Sequence, residues 1–288
     1  MSQPDTRVAI LPYGRKLGVQ PSRIPLRDLL WPLGEPAGIA GGCLGDLTAD
    51  DHLIVFPRSH LHVRPSFGTR AGVSLLLTEP RAIHARQMRL LRVTYRRFHR
   101  VLTSDETLLS RLPNAVFFPF GSTWVPEWRE LDTRKTAMCS LIASAKRSQP
   151  GHVLRHEIAG WARDAGVPVD VMGRGYRPIA RKSDGLAPYR FSVVIENVRE
   201  RNYFTEKLID ALLCRTVPIY WGCPNIGDFL DTRAMIICEN AAEIRQAVNR
   251  MSQDVYLSHL PALDSVRPRA DDYGDLYARA ARAVRDAG

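Results

Sequence analysis

The sequence has no CxxC pair among its five cysteines, no apolar window long enough to cross a bilayer, and very little lysine. Each absence removes a class of protein. Without paired spacing, Cys43, Cys139, Cys214, Cys223 and Cys238 read as reduced, mostly buried thiols rather than a disulfide framework or a zinc site. The opening MSQPDTRVAILPYG lacks the apolar core of a signal peptide, so the expected location is cytoplasmic, with peripheral contact at the inner face of the membrane left open. Gly38 to Leu47 (GIAGGCLGDL) is rich in glycine but is not the strand–GxGxxG–helix fingerprint of a dinucleotide site, and a loop is expected there. Because lysine is scarce, the net charge of +10 is carried almost wholly by arginine. That balance favours anionic partners (phosphorylated small molecules, nucleic acid or an acidic membrane) without choosing among them. The planar fork of arginine suits a diphosphate, and an arginine-rich genome produces the same bias.

What is present is an α/β rhythm in a chain of 288 residues, 45% hydrophobic, which suffices for one large or two modest cores. Val8–Leu11, His52–Phe56, Val73–Thr78, Arg100–Thr103 and Ala115–Phe118 are short apolar runs, the pattern of a buried parallel sheet. Arg81–Tyr95 has a helical period, and a short helix begins near Asp105. Gly121–Lys135 carries Trp124, Pro126 and Trp128 with little periodicity and reads as a connection that packs against something. A second run of strands (Ser140–Ser144, Val169–Met172, Phe191–Ile195, Val217–Tyr220, Met235–Cys238) then alternates with helices over His152–Asp164, Glu206–Cys214 and Ala241–Met251. Gly166 is placed to stop the first of these helices, and Tyr273–Arg285 is a basic helix at the tail. The expected domains are 1–125, a linker over 126–136, 137–265, and a terminal helical piece over 266–288 that could pack back on the first.

The sharpest segment runs from Tyr189 to Leu230. A buried strand ends in Glu196 and Asn197, at the edge of an open α/β sheet where ligands bind. Thr205 is a good N-cap, so Glu206 and Lys207 fall in the first turn of the following helix, beside unpaired N–H groups. Such a turn is an anion site; Lys207 adds a point charge for a diphosphate, and a carboxylate accepts from ribose hydroxyls. Glu206 could equally complement the helix dipole, and Glu196 could pair with Arg199 or Arg201. The run VPIYWG then supplies a second strand-to-loop edge beside the first.

The ordered pattern ENxxxxNYxTEKL, from Glu196 to Leu208, followed by VPIYWGCP, resembles the donor-binding signature of the α-1,3-fucosyltransferase family, glycosyltransferase family 10. The resemblance runs from about Met138 to Leu260 and fades toward the N-terminus. It implies a GT-B-type enzyme with two Rossmann-like domains facing across a cleft, inverting transfer from GDP-fucose, and no catalytic metal. By motif, Tyr203, Glu206 and Lys207 would line the nucleotide and diphosphate, with Glu206 on the ribose, and Glu196 and Asn197 would sit at or brace the sugar–phosphate end. The stretch SLIASAKRSQPGHVLRHEIAGWA resembles the family's strand, loop and helix with a phosphate-contacting arginine, here Arg155, which otherwise reads as a solvated helix residue. Glu79, after a strand and before Pro80, is at the end where the family carries its base, or is simply a loop glutamate.

Three features depart from the family. Val198 replaces a small hydroxyl residue, Arg199 and Arg201 flank Glu200 where acidic or small residues are usual, and the N-terminal domain is short. They leave the donor sugar and the acceptor open. The expected acceptor is a hydroxyl of a bacterial glycan or glycolipid, such as a lipopolysaccharide or capsule unit. Another nucleotide sugar or a natural-product acceptor is one alternative, and a non-catalytic protein using its basic surface is another. A nucleic-acid partner is not expected, since a charge patch does not require the ordered acidic and aromatic positions. His52, His60 and His62 lack companions for four metal ligands, His60 and His62 being expected on one face of an extended segment where they, Arg64 and Phe67 could meet an acceptor. Ala85–Arg100 is expected to cover a sheet with its apolar side and leave its arginines solvated, and Trp124 and Trp128 to pack or to stack on sugars.

Overall fold

The computed structural model describes residues 6–37 and 39–287 and divides into two compact units, one of residues up to Phe120 together with those from Leu276, the other Gly121–Asp275. Each is an α/β unit around its own parallel sheet. Gly38, the first residue of the expected glycine-rich loop, lies outside the described residues, as do residues 1–5; from Ile39 the loop contains two single-turn 3₁₀ helices, Ile39–Gly41 and Leu44–Asp46.

In the first unit, β1 (Val8–Ile10), β2 (His52–Val55), β3 (Gly72–Leu76), β4 (Val101–Thr103) and β5 (Ala115–Phe117) lie in chain order, every pair parallel. The pleat sends alternate residues to opposite faces. Leu53, Val55, Val73, Leu75 and Val101 meet Met88 and Leu91 of α1 (Arg81–Thr94). Ile54, Phe56, Leu76 and Leu102 meet Ala280, Ala281 and Val284 of the terminal helix, Leu276–Arg285. A short helix, α2 (Glu106–Arg111), links β4 to β5, with the Asp105 carboxylate capping Leu108 N–H at 2.9 Å. The sequential strand order gives this sheet no internal reversal, whereas the second sheet has one.

The second unit contains β6 (Ala137–Ile142), β7 (Val169–Met172), β8 (Tyr189–Ile195), β9 (Val217–Trp221) and β10 (Ile236–Ile237), in the order β10-β9-β8-β6-β7 and again all parallel. From β6 the chain steps outward to β7, then returns to lay β8 on the other side of β6. Strands β6 and β8 therefore flank the topological switch point, where loops leave in opposite directions and open a crevice at the carboxyl edge. The loop after β6 enters α3 (Pro150–Asp164), and the loop after β8 enters α4 (Glu206–Leu213). Phe191, Leu208, Leu212 and Ile219 are fully buried in the core that holds these elements, each contributing roughly 1.5–3 kcal/mol of apolar transfer.

Two helices complete the unit, α5 (Ala241–Asn249) and α6 (Gln253–Asp272). A helix is expected over α5 and a terminal helical piece only from residue 266, whereas α6 starts at Gln253 and runs through Pro261 and Pro268, residues that disfavour a helix interior. Its buried seam of Tyr256, Leu263, Val266 and Ala270, packed against α4, outweighs them. The basic tail helix begins at Leu276, three residues later than expected, and is α7 in chain order. The Trp128 indole in the connecting stretch stacks with the Arg129 and Arg267 guanidinium groups and donates to Asp271 at 3.1 Å, so it is a packing residue of its unit.

Candidate active site

Glu196 and Asn197 end β8 at the switch point, and both neighbouring helix starts are tied to them. Thr205 caps α4 and donates its N–H and hydroxyl to the two Glu196 carboxylate oxygens, at 2.8 and 2.7 Å. On the other side Gly151, in the first turn of α3, donates its N–H to the Asn197 carbonyl at 2.9 Å. Any side chain at Gly151 would collide with the chain there, since a Cβ would lie 1.8 Å from the Glu196 carbonyl oxygen. The first turns of two helices, with their outward N–H groups, are thus held at one strand end.

Arg155, one turn into α3, is 4% exposed. Nε and Nη2 donate to the Ile195 carbonyl at 2.9 and 2.7 Å, and Nη2 also reaches Asn197 Oδ1 at 3.0 Å. The solvated-arginine alternative is therefore excluded. A helical sequence position does not report that the facing strand end is this close, which is why Arg155 resembled Arg163, a surface residue paired with Asp164. Burial pulls the Arg155 guanidinium down and the nearby Glu196 and Glu206 carboxylates oppose it.

Glu196 is fully buried, and burial pushes its carboxyl up while Lys207 pulls it back. It does not pair with Arg199, which reaches Glu239 at 2.7 Å. Lys207, part-exposed, sets its ammonium 3.0 Å from Glu206 Oε1, 3.1 Å from Thr205 Oγ1 and 3.7 Å from Glu196 Oε2. Burial also pushes Glu206 up, but Lys207 and then Lys182 more than reverse this, and its carboxyl comes down to about 2. Tyr203 is 2% exposed in the loop leading into α4. Arg155, Glu196, Asn197, Tyr203, Glu206 and Lys207 all therefore belong to the carboxyl edge of one sheet, gathered about the end of β8 and the start of α4.

Lys182 was not anticipated. It sits in a 3₁₀ turn, Lys182–Gly185, and its ammonium is 2.7 Å from Asp210 Oδ2 and 3.8 Å from Glu206 Oε1. Asp210, fully buried between the apolar Ile209 and Ala211 of α4, is a legible demand for a counter-charge; its source, 28 residues upstream, is set only by the fold.

Glu79 belongs to the other unit, half-buried, three residues past the end of β3 and immediately before Pro80, the N-cap of α1. The histidines expected in an extended segment lie instead in a 3₁₀ turn, Ser59–His62. His62 is buried and bonded through both ring nitrogens, to Thr94 Oγ1 at 2.7 Å and Gln87 Oε1 at 2.9 Å, and is a satisfied core residue. Phe67 packs on Phe98 beneath Arg97. Among the described residues no group of three or more His, Cys, Asp or Glu side chains could hold a metal ion, and no helix is long and apolar enough to cross a membrane. All five cysteines are unpaired, Cys43 half-buried and the others buried.

A doubly wound parallel sheet with basic groups at its switch point, preceded by a second parallel α/β unit, has the architecture of a GT-B-type glycosyltransferase. Residues 131–259, within the second unit, match the family model described as Glycosyltransferase family 10 (fucosyltransferase) C-term. An alpha-(1,3)-fucosyltransferase FucT of Helicobacter pylori is 31% identical over 75 residues, 26% of this chain and 16% of its own length. The Bos taurus 3-galactosyl-N-acetylglucosaminide 4-alpha-L-fucosyltransferase FUT3 is 25% identical over 191 residues, 60% of this chain and 51% of its own. The chain thus spans about half or less of these curated relatives. A crystal structure of an alpha1,3-fucosyltransferase superposes with a TM-score of 0.50 at 17% identity, over 77% of this chain and 80% of that one, a likeness of fold.

Proposed function

We propose that the protein transfers fucose from GDP-fucose to a hydroxyl of a glycan acceptor, with inversion and an α-1,3-type linkage, in the assembly of a bacterial surface glycan. One observation carries the donor half of this reading. Arg155, Lys207 and the first turns of α3 and α4 converge on the end of β8 at the switch point of a sheet matched to the fucosyltransferase family. Donor cleavage builds negative charge on departing GDP. Preorganised cations and helix N–H groups stabilise that charge without reorganising at the moment of reaction. Glu206, held ionised, is suited to accept from ribose hydroxyls, and Glu196 braces the helix start through Thr205.

Direct displacement at the anomeric carbon inverts it and requires a base for the acceptor hydroxyl. Glu79 is assigned that role on its place after β3, at the carboxyl edge of the other sheet. The acceptor is taken to be a glycan or glycolipid, the donor half to work without a metal, and the protein to act in the cytoplasm or against the inner face of the membrane, a setting that suits unpaired cysteines.

Calorimetric titration with GDP, UDP, GDP-fucose and GDP-mannose, with no metal added, tests the donor assignment. Selective binding of GDP-fucose is expected. A preference for UDP would keep the fold and overturn the donor, and the absence of binding to all four would overturn the enzyme.

A further inference from the structure

We infer that Lys182 is a positioning residue of the donor site, setting the Glu206 carboxylate for the nucleotide's ribose by bridging it to Asp210 one turn further along α4. The inference rests on the reading of Glu206 as the ribose acceptor and adds the group that holds it in place.

Glu206 and Asp210 stand four residues apart on one face of α4, where like charges repel, and both are buried, at 5% and 0% exposure. Two carboxylates so placed are accommodated by a cation between them or by protonation of one, and here a cation is present. Lys182 supplies it from outside the helix. Its ammonium is 2.7 Å from Asp210 Oδ2, 3.8 Å from Glu206 Oε1 and 3.2 Å from the Glu206 carbonyl, to which it donates. The other Asp210 oxygen is occupied, accepting from Thr123 Oγ1 at 2.6 Å and from Trp124 N–H at 3.0 Å. The Trp124 indole in turn covers the Lys182 ammonium at 4.9 Å, and the lysine side chain is 15% exposed.

The result is a chain of fixed contacts from Thr123 through Asp210 and Lys182 to Glu206. Lys207 holds the same Glu206 oxygen at 3.0 Å. Lys207 has three partners to satisfy and is part-exposed, so it can turn toward a diphosphate. Lys182 is enclosed and committed. When Lys207 engages the diphosphate, Lys182 is the cation that keeps Glu206 ionised and in register.

A purely structural lysine would lower stability and weaken all nucleotides alike, whereas a positioning lysine governs discrimination at the ribose. The experiment is titration of wild type, Lys182→Met and Lys182→Gln with GDP and with 2′,3′-dideoxy-GDP. Wild type is expected to prefer GDP by about tenfold or more, the scale of a hydrogen bond to a charged group. Both variants are expected to lose most of that preference, mainly through weaker GDP binding. Should Lys182→Met fail to fold, Lys182→Gln, which keeps a donor without the charge, carries the comparison. If wild type discriminates and the folded variants discriminate equally, Lys182 has no positioning role. If wild type binds both ligands alike, the ribose role of Glu206 falls and this inference with it. If no nucleotide binds wild type, the donor-site reading itself is overturned.

Discussion

Thr205 and Glu196 form a closed pair across the loop from β8 to α4, the threonine giving both its N–H and its hydroxyl to the two oxygens of one buried carboxylate. The hydroxyl oxygen also accepts from Lys207 N–H at 3.3 Å and caps the helix, so one side chain fixes both the strand end and the helix start. Thr205→Ala removes the cap and leaves a buried oxygen unmatched. It should cost about 2–4 kcal/mol by urea denaturation, with Thr205→Ser recovering most of the loss. Equal stability of the Ala and Ser variants would contradict this.

Gly151 lies where α3 presses against the carboxyl edge of the sheet, and a methyl group has no room beside the Glu196 carbonyl. Gly151→Ala is expected to push the first turn of α3 away, destabilising by about 1–3 kcal/mol or more and weakening GDP about tenfold. Gly160, on the same helix with open space within 4 Å of where a methyl group would stand, is the control: Gly160→Ala should leave both unchanged or raise stability. Matching melting temperatures for the two variants would show that the contact is slack.

Arg155 satisfies two acceptors through a planar fork, which lysine cannot reproduce. Arg155→Lys keeps the charge, yet should cost about 1.5–3 kcal/mol in stability and weaken GDP at least as strongly as it weakens folding. A variant with wild-type affinity for GDP would remove Arg155 from the diphosphate site.

Glu79→Gln separates the two halves of the proposed reaction. Donor affinity should be unchanged while transfer to the acceptor falls about 10²–10⁴-fold, the range of a lost general base. Full transfer by the variant would sink the assignment of the base.

Two groups should make stability decline with acid over overlapping pH intervals. His84 is held neutral by burial, its pKa lowered from 6.5 to about 4, so the stability it contributes is complete above 6.5 and declines as pH falls toward 4. Glu206 is lowered from 4.5 to about 2, so its contribution is complete above 4.5 and is lost as pH falls through that interval. Urea midpoints measured from pH 7 to pH 2.5 should fall throughout. Glu206→Gln should make the lower limb shallower and leave the upper limb unchanged, and an unaltered slope in the lower limb would refute the assignment.

Much of the architecture was legible because buried parallel strands leave a continuous apolar signature. The runs around Leu53, Leu75 and Phe191 needed no context to read as strands, and Asp105, Thr205 and Gly166 marked helix ends by side-chain chemistry or, at Gly166, by a φ of +65°. Helix α6 was illegible because local proline penalties compete with a buried seam whose partner, α4, lies far away in sequence. The sequence suggests an extended segment at Ser59–His62 where the structure has a 3₁₀ turn, because three or four residues carry no usable period.

By itself the sequence determined which groups exist and where they stand in local elements: a strand ending in Glu196 and Asn197, a helix opening on Thr205, Glu206 and Lys207, and an arginine at 155. Only the tertiary structure decided which of them meet. It turned Arg155 inward, tied Gly151 to Asn197, and brought Lys182 to Glu206 and Asp210. Helix and strand patterns arise from interactions over a few residues. The switch between β6 and β8, which gathers these groups at one edge, is instead set by how a whole sheet is wound.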